Sequence, residues 1–352
     1  MQRSNSHRVL RPNHRGFDPA LAVCAAALAC AVSTCSADLF LLPTANHTLY
    51  DRGQEEKFFV GTEGKPWMSG TFGCVRTEGR QMHEGLDIRC LQRDRRGEPI
   101  DPVMASADGA VAYINNRPSL SNYGNYIVLR HQIEGLDICT LYAHLSEIRP
   151  GVRVGQFVKA GEQIATMGHS SNTRQRITLE RAHVHFEIDL VLNDRYAAWH
   201  RSFLGSERND HGDWNGKNLV GIDPRAVLLW QHQQGAKFSL LNFLRNEPEL
   251  CRVLVQGNRF SWLKRNSTLT RPNPLAEKDG VWGYEIILDF NGVPIGLTPR
   301  AASEVKIKAK AQVISVNEPE QQRNPCRKLV TKRGSRWELT SHGQELLNLL
   351  IY

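Results

Sequence analysis

Among its eight cysteines the chain has no CxxC pair, which excludes a zinc-ribbon or zinc-finger site. It has no apolar run of the roughly 20 residues that a membrane-spanning helix needs, which excludes a polytopic membrane protein. It has no internal repeat and no low-complexity tract, which excludes a solenoid and a disordered tail. What is there is ordinary for a globular protein: 352 residues, 41% hydrophobic and 23% charged, enough for about two domains and a sizeable core.

The first residues set the expected compartment. Arg3, Arg8, Arg11 and Arg15 precede an apolar run from Ala20 to Val32 and a small-residue stretch ending Cys35-Ser36-Ala37. That is the layout of a secretory signal peptide, residues 1–37, cut after Ala37. A retained anchor and a lipoprotein acylated at Cys35 are the alternatives, and Thr34 is bulky for the latter. Cleavage would lower the formal charge from +8 by removing four Arg and one Asp. The remaining basicity favours polyanionic surroundings, and export makes a cell-wall polymer a better partner than nucleic acid. The expected location is the periplasm, the cell envelope or the exterior, with no membrane span after cleavage. Cys74, Cys90, Cys139, Cys251 and Cys326 remain after cleavage. In an oxidising compartment Cys74 with Cys90 and Cys251 with Cys326 are the expected pairs, buried free thiols being the alternative.

Residues 38–64 read as a lead-in. From 65 to 230 short runs of Val, Ile, Tyr and Phe are broken by glycine, as in Gly109-Ala-Val-Ala-Tyr-Ile114 and Gly124-Asn-Tyr-Ile-Val-Leu-Arg130. Such text predicts a mainly β, antiparallel domain. Trp230-Gln-His-Gln-Gln-Gly235 reads as a linker into a smaller α+β region, 231–352. There Trp282 to Leu297 predicts a hairpin around Asn291-Gly292, and Ser341-His-Gly-Gln344 has capping-box spacing for a terminal helix.

Two histidine clusters carry the chemistry, His83-Glu-Gly-Leu-Asp87 and His183-Val-His185. Zinc takes imidazole nitrogens and carboxylate oxygens in tetrahedral arrays, and a catalytic site keeps its fourth position for water. The alternation in Ala182-His-Val-His-Phe-Glu-Ile188 predicts a half-buried strand with His183, His185 and Glu187 on one face and Val184, Phe186 and Ile188 in the core. For the first cluster, Gly85 disfavours a helix and predicts a loop leading His83 into a strand that carries Asp87.

These clusters, with Leu141-Tyr-Ala-His-Leu145 between them, resemble the lysostaphin-like zinc metallopeptidases, whose HxxxD, Tyr-x-His-Leu and HxH motifs come in this order. Ser69-Gly-Thr-Phe-Gly73, Asp108-Gly-Ala-Val-Ala112, Tyr123-Gly-Asn-Tyr-Ile127 and Gly221-Ile-Asp-Pro224 extend the likeness over about residues 65–230. The resemblance implies an antiparallel lysostaphin-like fold and a metalloendopeptidase acting on peptidoglycan cross-links or stem peptides. It implies a zinc ion bound by His83, Asp87 and His185, with His144 and His183 flanking the activated water. Tyr142 is expected on the strand face of His144, either donating to the oxyanion or packed in the core. The path into HxH, Gly168 to Ala182, is longer than the family's usual loop, and its Arg174, Arg176 and Arg181 either meet substrate carboxylates or form a solvated basic loop. The other histidines, His131, His169, His200, His211, His232 and His342, have no partner at ligand spacing and read as surface or structural.

Two other readings compete. The glycine-punctuated text from Gly151 to Ile164 is similar to the hairpin of biotinyl and lipoyl carriers, but the chain has no Met-Lys-Met or Asp-Lys-Ala carrier lysine. The second is an inactive member of the same fold that binds and regulates wall hydrolases. Such members lack metal ligands, whereas this chain keeps all of them.

Overall fold

Between Gly109 and Val191 the β-branched and aromatic runs form long strands, because their side chains pack on a pleated surface and glycines at the turns admit backbone that other residues resist. The computed structural model describes residues 38–173 and 176–352; the signal-like segment 1–37 and Arg174 lie outside the described residues. The described part belongs to one compact unit. The fold is mainly β with fewer helices, and every strand pair in its named sheets is antiparallel, as the sequence predicts.

The central sheet runs in the order Leu219–Ile222, His183–Val191, Leu136–Leu145, Asn125–Ile133, Gly109–Asn115, Phe157–Val158, and Leu86–Arg89 pairs with the first half of His183–Val191. In that register Asp87 lies opposite His185, and Ala143 lies opposite it on the other side. Apolar side chains cover both faces of this sheet. One face joins the large core through Val184, Phe186 and Ile188; the other carries a smaller cluster with Tyr126, Leu141, Ala143 and Val191. The His183–Val191 strand is consequently buried along its whole length, not half-buried as its alternation suggests.

A second sheet of four strands, Pro294–Arg300, Gly283–Leu288, Cys251–Gln256 and Ala311–Val316, forms the C-terminal region. The predicted hairpin is present, and Asp289 Oδ1 ties its turn by accepting from the backbone N–H groups of Asn291, Gly292 and Val293 at 2.8–2.9 Å. The terminal helix spans Ser341–Leu350 and its cap is Thr340, one residue before the expected Ser341.

Two expectations are corrected. The supposed linker at Trp230–Gly235 is the last turn of a helix, Pro224–Gln234, capped by Asp223; the buried Gln231 amide there exchanges hydrogen bonds with the Phe40 backbone. Its polar letters satisfy buried backbone groups, which is why it looked like a connector. The expected cysteine pairs do not form either. Cys74 bonds to Cys326 with Cα atoms 5.5 Å apart, while Cys90, Cys139 and Cys251 are buried free thiols. The Cys90 thiol is instead hydrogen-bonded to Asp101 at 3.1 Å. The C-terminal region also meets the central sheet through Asn193 Nδ2 on Leu349 O and Asn291 Nδ2 on Gly221 O, both at 2.7 Å, and through a shared apolar core.

Candidate metal centre

Asp87 and His185 meet because their strands are neighbours in register, and His83 joins them from the end of the Gln81–His83 strand. The turn between His83 and Asp87 needs Gly85, where a Cβ would lie 2.3 Å from the Phe186 carbonyl oxygen. His83 Nε2, Asp87 Oδ1 and His185 Nδ1 stand 3.0–3.1 Å from one another, and all three side chains are buried.

Hydrogen bonds behind the rings orient them. His83 Nδ1 donates to the Thr71 carbonyl at 2.8 Å, which leaves Nε2 as a lone pair facing the centre. His185 Nε2 donates to Glu187 Oε1 at 2.6 Å, which turns Nδ1 toward the same point. Arg76 donates to Asp87 Oδ2 at 2.7 Å and leaves Oδ1 for the centre. One proton on His185 Nδ1 bridges at most two of these acceptors, whereas a metal ion serves three. The spacing is close to the roughly 3.3 Å edge of a tetrahedron with zinc bonds of about 2.0–2.1 Å. The donor set therefore fits a zinc ion.

The electrostatics favour positive charge at this point, carried by the His185 proton when no metal is bound. Burial resists the Asp87 charge, but His83, His183 and Arg76 outweigh it and hold the carboxyl well below its usual range. Burial also opposes charge on His185, yet hydrogen bonds to Asp87 and Glu187 lift the imidazole to about 9. His83 is pushed down by burial, and His144 is pushed well down by burial and by the neighbouring His183 and His185.

The strand carrying His144 shows how it reaches this site. With regular alternation Ala143 faces the centre, and His144 would turn away toward the core with Tyr142. His144 instead has φ +61°, beside an irregularity in pairing between Asn125 and Ile127. The left-handed backbone swings the ring back, 4.9 Å from the His183 ring and 5.8 Å from that of His185. Such conformations cost energy and cluster at functional sites. Tyr142 keeps the core side: its hydroxyl accepts from the Ser106 N–H at 2.7 Å and is bonded to Thr140, so of its two expected roles it takes the packed one. His144 Nδ1 donates to Ser170 O at 2.9 Å and His183 Nδ1 to Arg181 O at 2.6 Å. His183 Nε2 lies 3.4 Å from Asp87 Oδ1. The Ser170 backbone comes this close because position 124 is glycine, where a Cβ would meet Ser170 O at 2.2 Å.

All five predicted residues thus line one cleft of about 1480 Å³. Of the loop arginines, Arg181 lines it but donates to Gly61 O, while Arg176 is exposed. His131 is held by Asp108 O and Thr140, His211 by Tyr113, and His232 stacks on Tyr50; these are structural, as expected. Sequence reasoning missed Arg76, Thr71 and Tyr123, whose hydroxyl donates to Glu187 Oε1 at 2.7 Å. It placed Glu187 on the right face but gave it no role.

The model of peptidase family M23 matches residues 81–196, which contain every residue of this centre. The chain is 36% identical over 95 residues to lipoprotein NlpD of Yersinia enterocolitica, covering 84% of that protein and 27% of this chain. It is 37% identical over 127 residues to murein hydrolase activator NlpD of Escherichia coli, covering 36% of this chain and 26% of that one. The chain thus spans about a quarter of the length of that relative. Among solved structures, the catalytic domain of lysostaphin from Staphylococcus simulans aligns at 26% identity with a TM-score of 0.24, covering 34% of this chain and 74% of that one. The chain belongs to peptidase family M23.

Proposed function

We propose that this chain is an exported zinc metalloendopeptidase that hydrolyses peptide bonds of peptidoglycan. The observation that carries the reading is the convergence of His83 Nε2, Asp87 Oδ1 and His185 Nδ1 at 3.0–3.1 Å, each turned inward by a partner behind it, at the wall of an open cleft. His83, Asp87 and His185 are the ligands in this proposal, and His144 and His183 the acid and base. A zinc ion held there supplies Lewis acidity for the scissile carbonyl and acidifies water. With Nδ1 engaged on backbone carbonyls, His144 and His183 present Nε2 to the cleft, where one takes a proton from the attacking water and either steadies the developing oxyanion. Glu187 and Arg76 fix the orientations of His185 and Asp87.

The substrate class rests on the name of the Escherichia coli relative, which concerns murein, and on the modest basicity of the chain. Export rests on the signal-like segment, and the Cys74–Cys326 disulfide suits an oxidising compartment. The name of the Escherichia coli relative favours a second reading, an activator of other murein hydrolases. The complete donor set argues for activity.

The test is to incubate the zinc-loaded full chain with defined muropeptides and weigh the products, with His185→Ala in parallel. New peptide-bond cleavage in the wild type and lost zinc in the variant are expected. Full zinc occupancy in His185→Ala would overturn the ligand assignment. Intact muropeptides, together with stimulation of an added murein hydrolase, would replace the peptidase reading with the activator.

A further inference from the structure

The cleft that holds the metal centre is not built from the family region alone. Asn291, Arg327, His342 and Glu345, all from the C-terminal region and outside residues 81–196, line the same cavity as His83 and His185. Arg327 stands out among them. It follows Cys326, whose disulfide to Cys74 pins it beside the Gly73–Arg76 strand, Cys74 being two residues from the arginine that holds Asp87.

The other described arginines that line the cleft are already engaged. Arg76 pairs with Asp87, Arg80 with Glu78 and Arg208 with Asp210, and Arg181 donates to Gly61 O. Arg327 is half-buried, and among the described residues its guanidinium has no hydrogen bond or ion pair; its Nε is inaccessible and unpartnered. Glu84, Glu187 and Asp289 are close enough to offset part of the burial cost of its charge, but none is bonded to it. His342 lies within reach of that charge, and its Nε2 is likewise buried without a partner. Unpaired buried donors are costly, and a guanidinium matches the two oxygens of a carboxylate as no single-point donor does. We infer that Arg327, with His342 beside it, forms a subsite for a carboxylate of the substrate, an inference that rests on the peptidase reading above.

The guanidinium that would read the carboxylate therefore comes from a segment outside the family region, whereas the reacting groups come from within it. The reading also reassigns a role considered for the loop 174–181. Among the described residues, the loop arginine on the cleft wall, Arg181, donates to backbone, and the guanidinium left without a partner is Arg327.

The test uses the zinc-loaded full chain and a soluble tetrapeptide muropeptide in three forms: with free carboxylates, with the side-chain carboxylate amidated, and with the C-terminal carboxylate amidated. Dissociation constants are measured by calorimetry for wild type, Arg327→Gln and Arg327→Lys. The wild type should bind the free acid at least about 10-fold more tightly than one of the amides, which identifies the carboxylate that is read. Arg327→Gln should lose that preference, and Arg327→Lys should keep part of it. Equal affinity of the wild type for all three forms, including none, overturns the subsite without requiring any variant to fold. An undiminished preference in Arg327→Gln overturns it too. Product formation in the same samples separates the two claims: selective binding without cleavage keeps the subsite and defeats the peptidase, and cleavage without an Arg327-dependent preference does the reverse.

Discussion

Replacing Glu187 with glutamine tests how much of the metal centre's affinity is set behind its ligands. Glu187 Oε1 accepts from His185 Nε2 at 2.6 Å and from Tyr123 at 2.7 Å, and Glu187 is only 1% exposed. Glutamine has nearly the same shape and keeps an acceptor oxygen, so both bonds can persist as neutral ones. What is lost is charge assistance, about 1 kcal/mol for each bond. Only the His185 bond acts on a ligand, the Tyr123 bond being the same with and without metal, so about 1 kcal/mol, or roughly 5-fold in zinc affinity, is expected, just below the 10- to 100-fold range for partners of this kind. The assay is competition for zinc against a chelator of known affinity, with circular dichroism as the control for folding. Turnover at saturating zinc should change less than affinity does, because neither His144 nor His183 touches Glu187. Unchanged zinc affinity in a folded Glu187→Gln protein would refute the reasoning, since the His185–Glu187 bond would then contribute nothing to holding the metal.

Three further outcomes are expected. His144→Ala and His183→Ala should each keep zinc by elemental analysis and lose at least about 100-fold in turnover on a soluble muropeptide; loss of metal in step with activity would make that residue a ligand. A chain truncated after Gln231 should fail to give soluble, monodisperse protein by gel filtration, because it loses the Cys326 end of the disulfide, the Asn193–Leu349 and Asn291–Gly221 bonds and a large part of a shared core. A folded, zinc-loaded truncation that cleaves small muropeptides would support the sequence-based division at 230. Burial lifts Asp289 to about 7, against its three backbone N–H bonds and Arg327, so the folded form resists an ionisation that the unfolded chain allows near pH 4. Asp289 therefore withdraws stability as pH rises from about 4 to about 7, and Asp289→Asn should gain melting temperature over wild type across that range, with a flat difference contradicting the assignment.

The five proposed residues of the centre were legible through the resemblance of three short motifs to a known family, and strand geometry supported part of that reading. A two-residue period put His183, His185 and Glu187 on one face, and a glycine marked the bend between His83 and Asp87. Tyr142 shows where that logic fails. Period two places it with His144, and the left-handed backbone at His144, which no letter announces, sends them to opposite sides of the sheet. The partners behind the ligands were hidden for another reason: Arg76, Thr71 and Tyr123 reach the centre from separate segments, and only the folded chain makes them neighbours. The disulfide was misread likewise, since nearness in sequence suggested Cys74 with Cys90 while the fold brings position 326 to position 74. The linker was misread because a buried glutamine that serves backbone looks the same in a sequence as a solvated one.

The Cys74–Cys326 bond has a consequence for the chain's survival in an environment that contains proteases. It closes a covalent ring across a sequence separation of 252 residues, and His83, Asp87, His144, His183, His185 and Arg327 all lie inside the ring or at its rim. A single proteolytic nick anywhere between the two cysteines opens the ring but does not divide the molecule. The two pieces stay tethered next to the metal centre, and the core and sheets on either side of the cut still hold them in register. A nicked molecule would run as two bands on a reducing gel and as one on a non-reducing gel, so intact mass under oxidising conditions is no guarantee of an intact backbone. In a nicked molecule, reduction removes the last covalent link between the piece that carries Arg327 and the piece that carries Arg76.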